Sequence, residues 1–510
     1  MSLGERPTES LRGPAASEAI PARTQAEARS NPAGVATGSP REPKGWLAMT
    51  SFRHWSWVIL WAILVAVALS VRPLLPIDET RYLSVAWEMW RRDDWLVPYL
   101  NGSAYTDKPP LLFWGMLLGW RAFGVSQWWP RLLPPLFGLL SVFLVVRLAR
   151  RLSPMTPDAG HRTLPFLSGL LWVTYSTAVL FDTLLTACVL LALIGVVEAS
   201  QGRAGRGWAQ CAAGIGLGLL AKGPVVLVHV LPIMLLAPWW IGDSDSAKRP
   251  AGWRRWYLGV ITAMVLGAAI ALAWALTAGA REGPAYRDAI LWDQTARRIT
   301  HAFAHRRPWW WYMPLLPVVL LPWTLWPPWW RALGRLRQKP LEPAARFALA
   351  WVVPGLIILS LISGKQVHYL IPLLPGVATL AGVAWSRLEI KPQVVALSLV
   401  VPALLVVVHL AGKGIIGRAY DLRPIAHFLR GEEASGRSIA YVGRYSGEFH
   451  FLGRLERPID QISPARLSGW MADHPSGLVI RYQRSSADTA GAILKQPYRS
   501  GVIGIWRSPP

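Results

Sequence analysis

Long apolar runs alternate with short polar connections along most of this chain, a pattern that predicts helices crossing a lipid bilayer. Trp55–Val71, Leu132–Val146, Asp182–Val197, Trp256–Ala278 and Val394–Leu410 each come close to the roughly 20 residues that span a hydrocarbon core. Extending the pattern places spans near 55–71, 131–148, 163–181, 182–198, 208–221, 223–240, 256–279, 312–331, 347–363, 368–385 and 393–411. Residues 109–123 and the Trp/Pro-rich stretch near 309–330 leave room for one or two more embedded segments. The expected total is therefore about 11 to 13.

Composition agrees: 53% of residues are hydrophobic and only 16% charged, which fits a membrane protein better than a string of soluble domains. Tryptophans double up near run ends, as at Trp128-Trp129, Trp239-Trp240 and Trp329-Trp330, where aromatic belts meet the lipid–water boundary. The formal charge of +24 does not mark a nucleic-acid binder, because the basic residues lie in separate short connections and not in one patch. Cys188 and Cys211 both sit inside apolar runs, which argues against a disulfide framework or a cysteine metal site.

The basic connections set the orientation. Arg53 precedes the first span; Arg147, Arg150, Arg151 and Arg162 follow the second; Arg203 and Arg206 follow the fourth. Lys248, Arg249, Arg254 and Arg255, then Arg331, Arg335, Arg337, Lys339 and Arg346, then Arg387 and Lys391 continue the series on every second connection. That side is expected to be cytoplasmic, with the N-terminus on it. Residues 1 to about 45 carry almost no large apolar side chains, and 1–48 reads as a disordered cytoplasmic tail without a cleavable signal. Met49, which opens directly onto the first span, is the expected native start.

Three long pieces then face the other side: 72–130, 280–311 and the segment from 412 to 510. The last reads as a small α/β domain, with an amphipathic Tyr420–Arg430, strand-like Ser438–Gly443, Leu478–Gln483 and Gly501–Trp506, and a helical Pro464–Ala472. With no ligand motif, it reads as a packing lid ahead of a binding platform. The expected organisation is thus a tail over 1–48, a transmembrane domain over 49–411 and an exterior domain over 412–510.

Chemistry concentrates at the exterior ends of spans. Asp78-Glu79-Thr80-Arg81-Tyr82 opens an amphipathic helix that points Val85, Ala86, Met89 and Trp90 toward the membrane. Acids at a helix start are ordinarily structural, since they satisfy free N–H groups and suit the positive helix end. The same loop holds Tyr105, Asp107 and Lys108 just before Pro109-Pro110, where prolines pre-set the start of a short embedded helix. Lys108 at a membrane edge either snorkels to headgroups or meets a lipid phosphate. Asp182, Lys222 and Lys365 lie at further exterior span ends, where the positive-inside bias does not explain lysines. Loop 280–311 adds Arg281, Arg287, Arg297, Arg298, His301, His305, Arg306 and Arg307, a density that suits an anionic ligand or anionic headgroups alike. Cations for an anionic leaving group and a carboxylate near the incoming nucleophile are what transfer from a lipid phosphate requires.

These residues resemble the GT-C type membrane glycosyltransferases, related to protein O-mannosyltransferases and similar to the aminoarabinose transferase that modifies lipid A. The resemblance covers roughly 55–411 and rests on Asp78-Glu79-Thr80-Arg81-Tyr82, on Asp94-Trp-Leu-Val-Pro-Tyr-Leu-Asn-Gly102 and on Asp107-Lys108-Pro109-Pro110, with Lys222-Gly-Pro and Lys365…Tyr369-Leu-Ile-Pro in support. It implies an all-α polytopic membrane protein with a small exterior α/β domain, and inverting sugar transfer from an undecaprenyl-phosphate carrier. The acceptor would be lipid A, another glycolipid or another cell-envelope molecule at the periplasmic face of a bacterial inner membrane. Asp78 would be the principal catalytic carboxylate, with Glu79 beside it and Asp182 as second acid. Arg81, Tyr82, Tyr105, Lys108, Lys222, Lys365 and Tyr369 would surround the phosphate. The family member that modifies lipid A carries a metal-binding Glu where this chain has Asp107. That departure weakens the case for a metal, and Asp107 with His305 is the pair left for Zn²⁺.

Other classes fit less well. A lipid transporter or flippase would show midplane charges, repeats and matched broken helices, none of which the sequence displays. Within the enzymes, a protein O-glycosyltransferase with a related carrier is the alternative. Gly214-Ile-Gly216-Leu-Gly218 lies in an apolar run and reads as a packing stripe, not a nucleotide loop.

Overall fold

The computed structural model describes residues 44–156, 158–242, 252–292, 306–336, 340–385, 392–485 and 487–509, and the architecture below is that of the unit Ala48–Pro510. The expected tail falls almost wholly outside the described residues. Among the described residues, six helices are long and apolar enough to cross a membrane. Their burial differs with position. In α7 (Asp182–Ser200) nearly every side chain is buried, so it is apolar all round and central. In α11 (Trp253–Glu282), by contrast, Leu258, Ile261, Val265, Leu266, Leu272 and Leu276 are exposed, as are Val400, Leu404, Val407 and Val408 in helix Pro392–Tyr420. Exposed apolar faces on long helices are what lipid tails cover.

Several expected spans are not single helices. Segment 163–181 begins in α5 (Ala159–Thr163), tightens into a 3-10 turn at Leu164–Ser168, turns extended at Gly169 and resumes as α6 (Leu170–Tyr175). Segment 223–240 divides into α9 (Val225–Leu235) and α10 (Ala237–Ile241). The Trp/Pro-rich stretch is a series of short turns, Trp309–Leu315, Leu316–Val319 and Trp323–Leu325, before helix Pro327–Arg335. Proline explains the breaks, since Pro165, Pro232, Pro314, Pro317 and Pro322 each remove a backbone donor and crowd the preceding turn. Residues 109–123 do form a helix, α3 (Leu111–Phe123), started by Pro110 as expected. At 13 residues it is about 20 Å long, too short to cross.

The glycine stripe packs helices. A Cβ on Gly214 would lie 2.5 Å from the Ala192 nitrogen, on Gly216 2.7 Å from Ile270 and on Gly218 2.5 Å from Val226. Gly195 and Gly207 continue the stripe, so α7 and α8 (Ala204–Lys222) meet backbone to backbone, as small residues allow in membrane bundles.

Before α3 come α1 (Lys44–Val71), α2 (Asp78–Arg92) and a two-residue hairpin, β1 (Tyr99–Leu100) with β2 (Ser103–Ala104). The end of α1 is capped by Arg131 of α4 (Trp128–Leu152), whose guanidinium donates to the carbonyls of Ala68, Leu69 and Arg72. Helix Pro392–Tyr420 runs past the expected boundary at 411 and leads into helix Arg423–Ala434. A five-stranded sheet follows: β3 (Ile439–Val442), β4 (Asp460–Ile462), β5 (Leu478–Gln483), β6 (Leu494–Tyr498) and β7 (Gly501–Arg507), in the order β4-β3-β5-β7-β6. β3 pairs parallel with β4 and β5, while β5–β7 and β6–β7 are antiparallel. Ile439, Leu478, Ile480, Ile503 and Ile505 bury against Ile425, Ala426 and Leu429 of the preceding helix. β4 and β6 escaped the sequence reading: one is three residues with Asp460 and Gln461 exposed, and the other carries Pro497 at a sheet edge.

Candidate active site

The centre of the site is the open end of an antiparallel helix pair. α7 and α8 have 19 residues each and are joined through Gln201–Arg203, so the first residue of one, Asp182, comes opposite the last of the other, Lys222. Lys222 Nζ donates to Asp182 Oδ1 across 2.5 Å, and Asp182 is only 2% exposed. A carboxylate so enclosed is tolerable because it is paired. Lys222 also sits 4.7 Å from the centre of the Tyr369 ring, whose π-face offers a second, neutral contact for the ammonium.

His368 completes this end from the 3-10 turn Val367–Leu373. Its Nε2 stands 3.9 Å from Asp182 Oδ2, and its ring lies 5.7 Å from that of Tyr175 on α6. The charges near enough to act on the His368 ring are Asp182, Lys222, Asp78 and Lys108. Asp182 and Asp78 likewise both act on Tyr175. The two carboxylates and two lysines singled out in distant parts of the sequence therefore share one neighbourhood.

The first loop supplies the other wall. Asp78 is the opening residue of α2, and Ile77, not Asp78, occupies the capping position. Asp78 is 46% exposed and pairs with Arg81 one turn along. Tyr82 and Tyr105 are buried against Phe113 and Phe181: Tyr82 meets Phe181 edge-on at 4.9 Å, and Tyr105 meets Phe113 at 6.3 Å. This aromatic packing fixes α2 and α3 against the start of α7 and leaves the charged ends together. Lys108 is partly buried, with its ammonium 3.2 Å from the Asp107 carbonyl. Arg81, Lys108 and Lys222 outnumber Asp78 and Asp182, an excess of cation that suits an anionic ligand.

Other expected residues stand elsewhere. Glu79 does not join the cluster: each of its oxygens accepts two hydrogen bonds, from Arg72 Nη1 and the Leu75 nitrogen on one side and from Arg72 Nη2 and the Val179 nitrogen on the other. With its lone pairs so occupied and the group 2% exposed, Glu79 ties α1 to α2 and to the approach of α7. Lys365 is 3% exposed and donates to the carbonyls of Arg307 and Ile362, and burial pushes its ammonium down. It lines a separate open cavity of about 450 Å³ with Arg306, Arg307 and Ser360. Of the pair considered for Zn²⁺, His305 lies outside the described residues. Among the described residues, no group of three His, Cys, Asp or Glu side chains is arranged to hold a metal.

Two members of the cluster, His368 and Tyr175, were not assigned from sequence. The available signal was position, since each lies near the end of an apolar run beside residues already singled out.

Residues 107–277 match the family model described as dolichyl-phosphate-mannose-protein mannosyltransferase. An undecaprenyl phosphate-alpha-4-amino-4-deoxy-L-arabinose arabinosyl transferase of Pseudomonas paraeruginosa is 33% identical over 345 residues, 66% of this chain and 60% of the relative. A relative of the same description from Pseudomonas fluorescens is 30% identical, covering 64% and 57%. The chain thus matches about three-fifths of the length of these curated relatives. The crystal structure of ArnT from Cupriavidus metallidurans bound to undecaprenyl phosphate superposes with a TM-score of 0.70 at 19% identity, covering 91% of this chain and 98% of that one. Its apo form gives 0.72 at 18% identity, covering 90% and 98%. Fold likeness gives the chain the GT-C type membrane fold, and sequence likeness makes it similar to the undecaprenyl-phosphate aminoarabinose transferases and, over residues 107–277, to the protein mannosyltransferases.

Proposed function

We propose that the chain transfers a sugar from an undecaprenyl-phosphate carrier to lipid A or another cell-envelope glycolipid, with inversion, at the periplasmic face of a bacterial inner membrane. The observation that carries this reading is the meeting of Asp78, Lys108, Asp182, Lys222 and His368 in one neighbourhood. In the reaction the bond between the sugar's anomeric carbon and the carrier phosphate breaks, and the electron pair leaves with the polyprenyl phosphate. Lys108, Lys222 and Arg81 stabilise that dianionic leaving group. An acceptor oxygen forms the new bond from the opposite face of the sugar. If it is a hydroxyl, Asp78 takes its proton; if it is a phosphate already ionised, Asp78 orients it and stabilises positive charge on the ring.

Asp182 keeps Lys222 extended toward the phosphate through their ion pair, and Tyr369 guides the same ammonium. Tyr82 and Tyr105 shape the wall behind Arg81. The family model that matches 107–277 favours a second reading, with a protein hydroxyl as acceptor. An assay on membranes with labelled undecaprenyl-phosphate sugars, offered lipid A and protein acceptors in parallel, tests both. Asp78→Asn is expected to reduce transfer at least 100-fold, the scale of a positioned acid–base group. Transfer by Asp78→Asn at the wild-type rate would overturn the assignment.

A further inference from the structure

A cationic cavity of about 450 Å³ opens beside the turn that carries His368 and Tyr369. Arg306, Arg307 and Lys365 line it, and no Asp or Glu among the described residues does. Backbone contacts fix its two sides to each other. Arg306 pairs antiparallel with Gly364 in an isolated bridge, and the Arg307 nitrogen donates to the Ser363 carbonyl at 3.2 Å. The Tyr312 hydroxyl donates to the Gln366 carbonyl at 3.1 Å and anchors the turn Trp309–Leu315 to the same piece of chain.

Two buried groups in this cavity have hydrogen-bonding capacity to spare. Lys365 donates to the carbonyls of Arg307 and Ile362, which solvate its charge without cancelling it. An ammonium carries three donors, so one is left for a ligand. Ser360 lines the same cavity at 5% exposure, and its hydroxyl is buried with no hydrogen-bond partner among the described residues. A buried hydroxyl in that condition is costly, and a ligand oxygen that accepts from it removes the cost. Leu361, also at the cavity, is 72% exposed and ends a strip on helix Pro343–Leu361 that includes Ile357 at 53% and Val353 at 46%. Residues four apart share one helix face. Cations at the head of an exposed apolar strip match an amphiphile with an anionic headgroup and hydrocarbon chains.

We infer that this cavity is the acceptor's subsite, holding a phosphate of an anionic glycolipid headgroup while another oxygen of that headgroup meets the sugar at the cluster of Asp78, Lys108 and Lys222. The inference rests on the proposed transfer to a glycolipid and names where that acceptor docks. Lys365 and His368 are three residues apart, so their backbones lie within about 11 Å even in an extended chain. The carrier phosphate has Lys108, Lys222 and Arg81; the cations of the cavity are a separate set, as a headgroup with a phosphate of its own requires.

The test measures equilibrium binding of labelled lipid A to the full chain in nanodiscs of neutral lipid, with bisphosphorylated and monophosphorylated lipid A in parallel. The wild-type chain is expected to prefer the bisphosphorylated form about tenfold, the scale of a charge-assisted contact. Arg306 and Arg307 are exposed, and their backbone contacts survive substitution, so Arg306→Gln/Arg307→Gln should fold normally and lose that preference. Ser360→Ala should weaken binding of the bisphosphorylated form roughly threefold at an unchanged melting temperature. In transfer assays the double variant should raise acceptor KM and leave donor KM as it is. No preference in the wild-type chain, or a preference retained in the double variant, overturns the inference. A rise in donor KM alone would give the cavity to the carrier, and displacement of lipid A by phosphatidylglycerol at equal mole fraction would give it to bulk anionic lipid; either result also overturns it. Asp78→Asn keeps the two readings apart: full turnover by that variant with a normal lipid A preference sinks the catalytic assignment of Asp78 and leaves the subsite standing.

Discussion

Lys222 reaches Asp182 at 2.5 Å across the open end of the α7–α8 pair, the ammonium 13% exposed and the carboxylate 2%. Removing the lysine alone leaves a buried, uncompensated carboxylate. Lys222→Ala should therefore lose about 3 to 5 kcal/mol of stability together with transfer. The double variant Lys222→Met/Asp182→Leu replaces both charges by apolar volume and should recover most of the stability while remaining inactive. Thermal unfolding in detergent beside a transfer assay separates the two effects, and recovered activity in the double variant would remove the pair from the chemistry.

Asp78 and Glu79 are neighbours in sequence with opposite expected behaviour. Glu79→Gln breaks a buried, doubly hydrogen-bonded pair with Arg72 and should cost about 3 kcal/mol. Transfer should fall only as far as the folded fraction does. Asp78→Asn should show the reverse, an unchanged melting temperature with lost turnover. A normal melting temperature in Glu79→Gln would contradict the structural role.

Lys108 tests the phosphate side. Lys108→Ala is expected to raise donor KM by about tenfold, the scale of one charge-assisted contact, with acceptor KM unchanged. Lys108→Arg, which keeps the charge, should retain most donor affinity. Donor KM and turnover both unaltered in Lys108→Ala would exclude the residue from the site.

His450 gives the sheet domain its own pH dependence. Burial pushes the imidazole down to about 4, and its neighbours are the Tyr445 hydroxyl at 2.7 Å, the Arg457 carbonyl and the charge of Arg91. Because the folded group resists protonation that the unfolded group accepts near its usual 6.5, its contribution is fully present above that value. It is lost as pH falls toward 4, by roughly 3 kcal/mol in all. Unfolding of the purified chain followed between pH 7 and 4 should show this slope, and His450→Gln should flatten it.

The site was legible in sequence to the extent that its charges interrupt apolar runs. Asp182, Lys222 and Lys108 stand out because a charge at the end of a span needs a reason, and the structure brings them together. Glu79 shows where this reasoning stops. Successive helical residues point about 100° apart, so Asp78 and Glu79, adjacent in the chain, face different partners. Which of the two faces the cluster depends on how α2 is rotated, and that is set by distant residues such as Phe181 and Gly447. His368 carried no such contrast, since a histidine beside a tyrosine at a span end has many ordinary uses. The broken spans followed from proline positions, but the spacing of apolar residues alone could not tell a bent helix from a straight one.

The glycine contacts of α7 and α8 have a consequence for inherited variation. Gly195, Gly207 and Gly214 sit along the shafts of the two helices, yet their lack of side chains sets the spacing at which Asp182 and Lys222 meet. A methyl group added to any of them would act like a shim under one leg of a caliper, opening the jaws at the far end. Alleles that damage such a protein are thus to be sought deep in the lipid-spanning interior as well as among the charged residues at the helix ends.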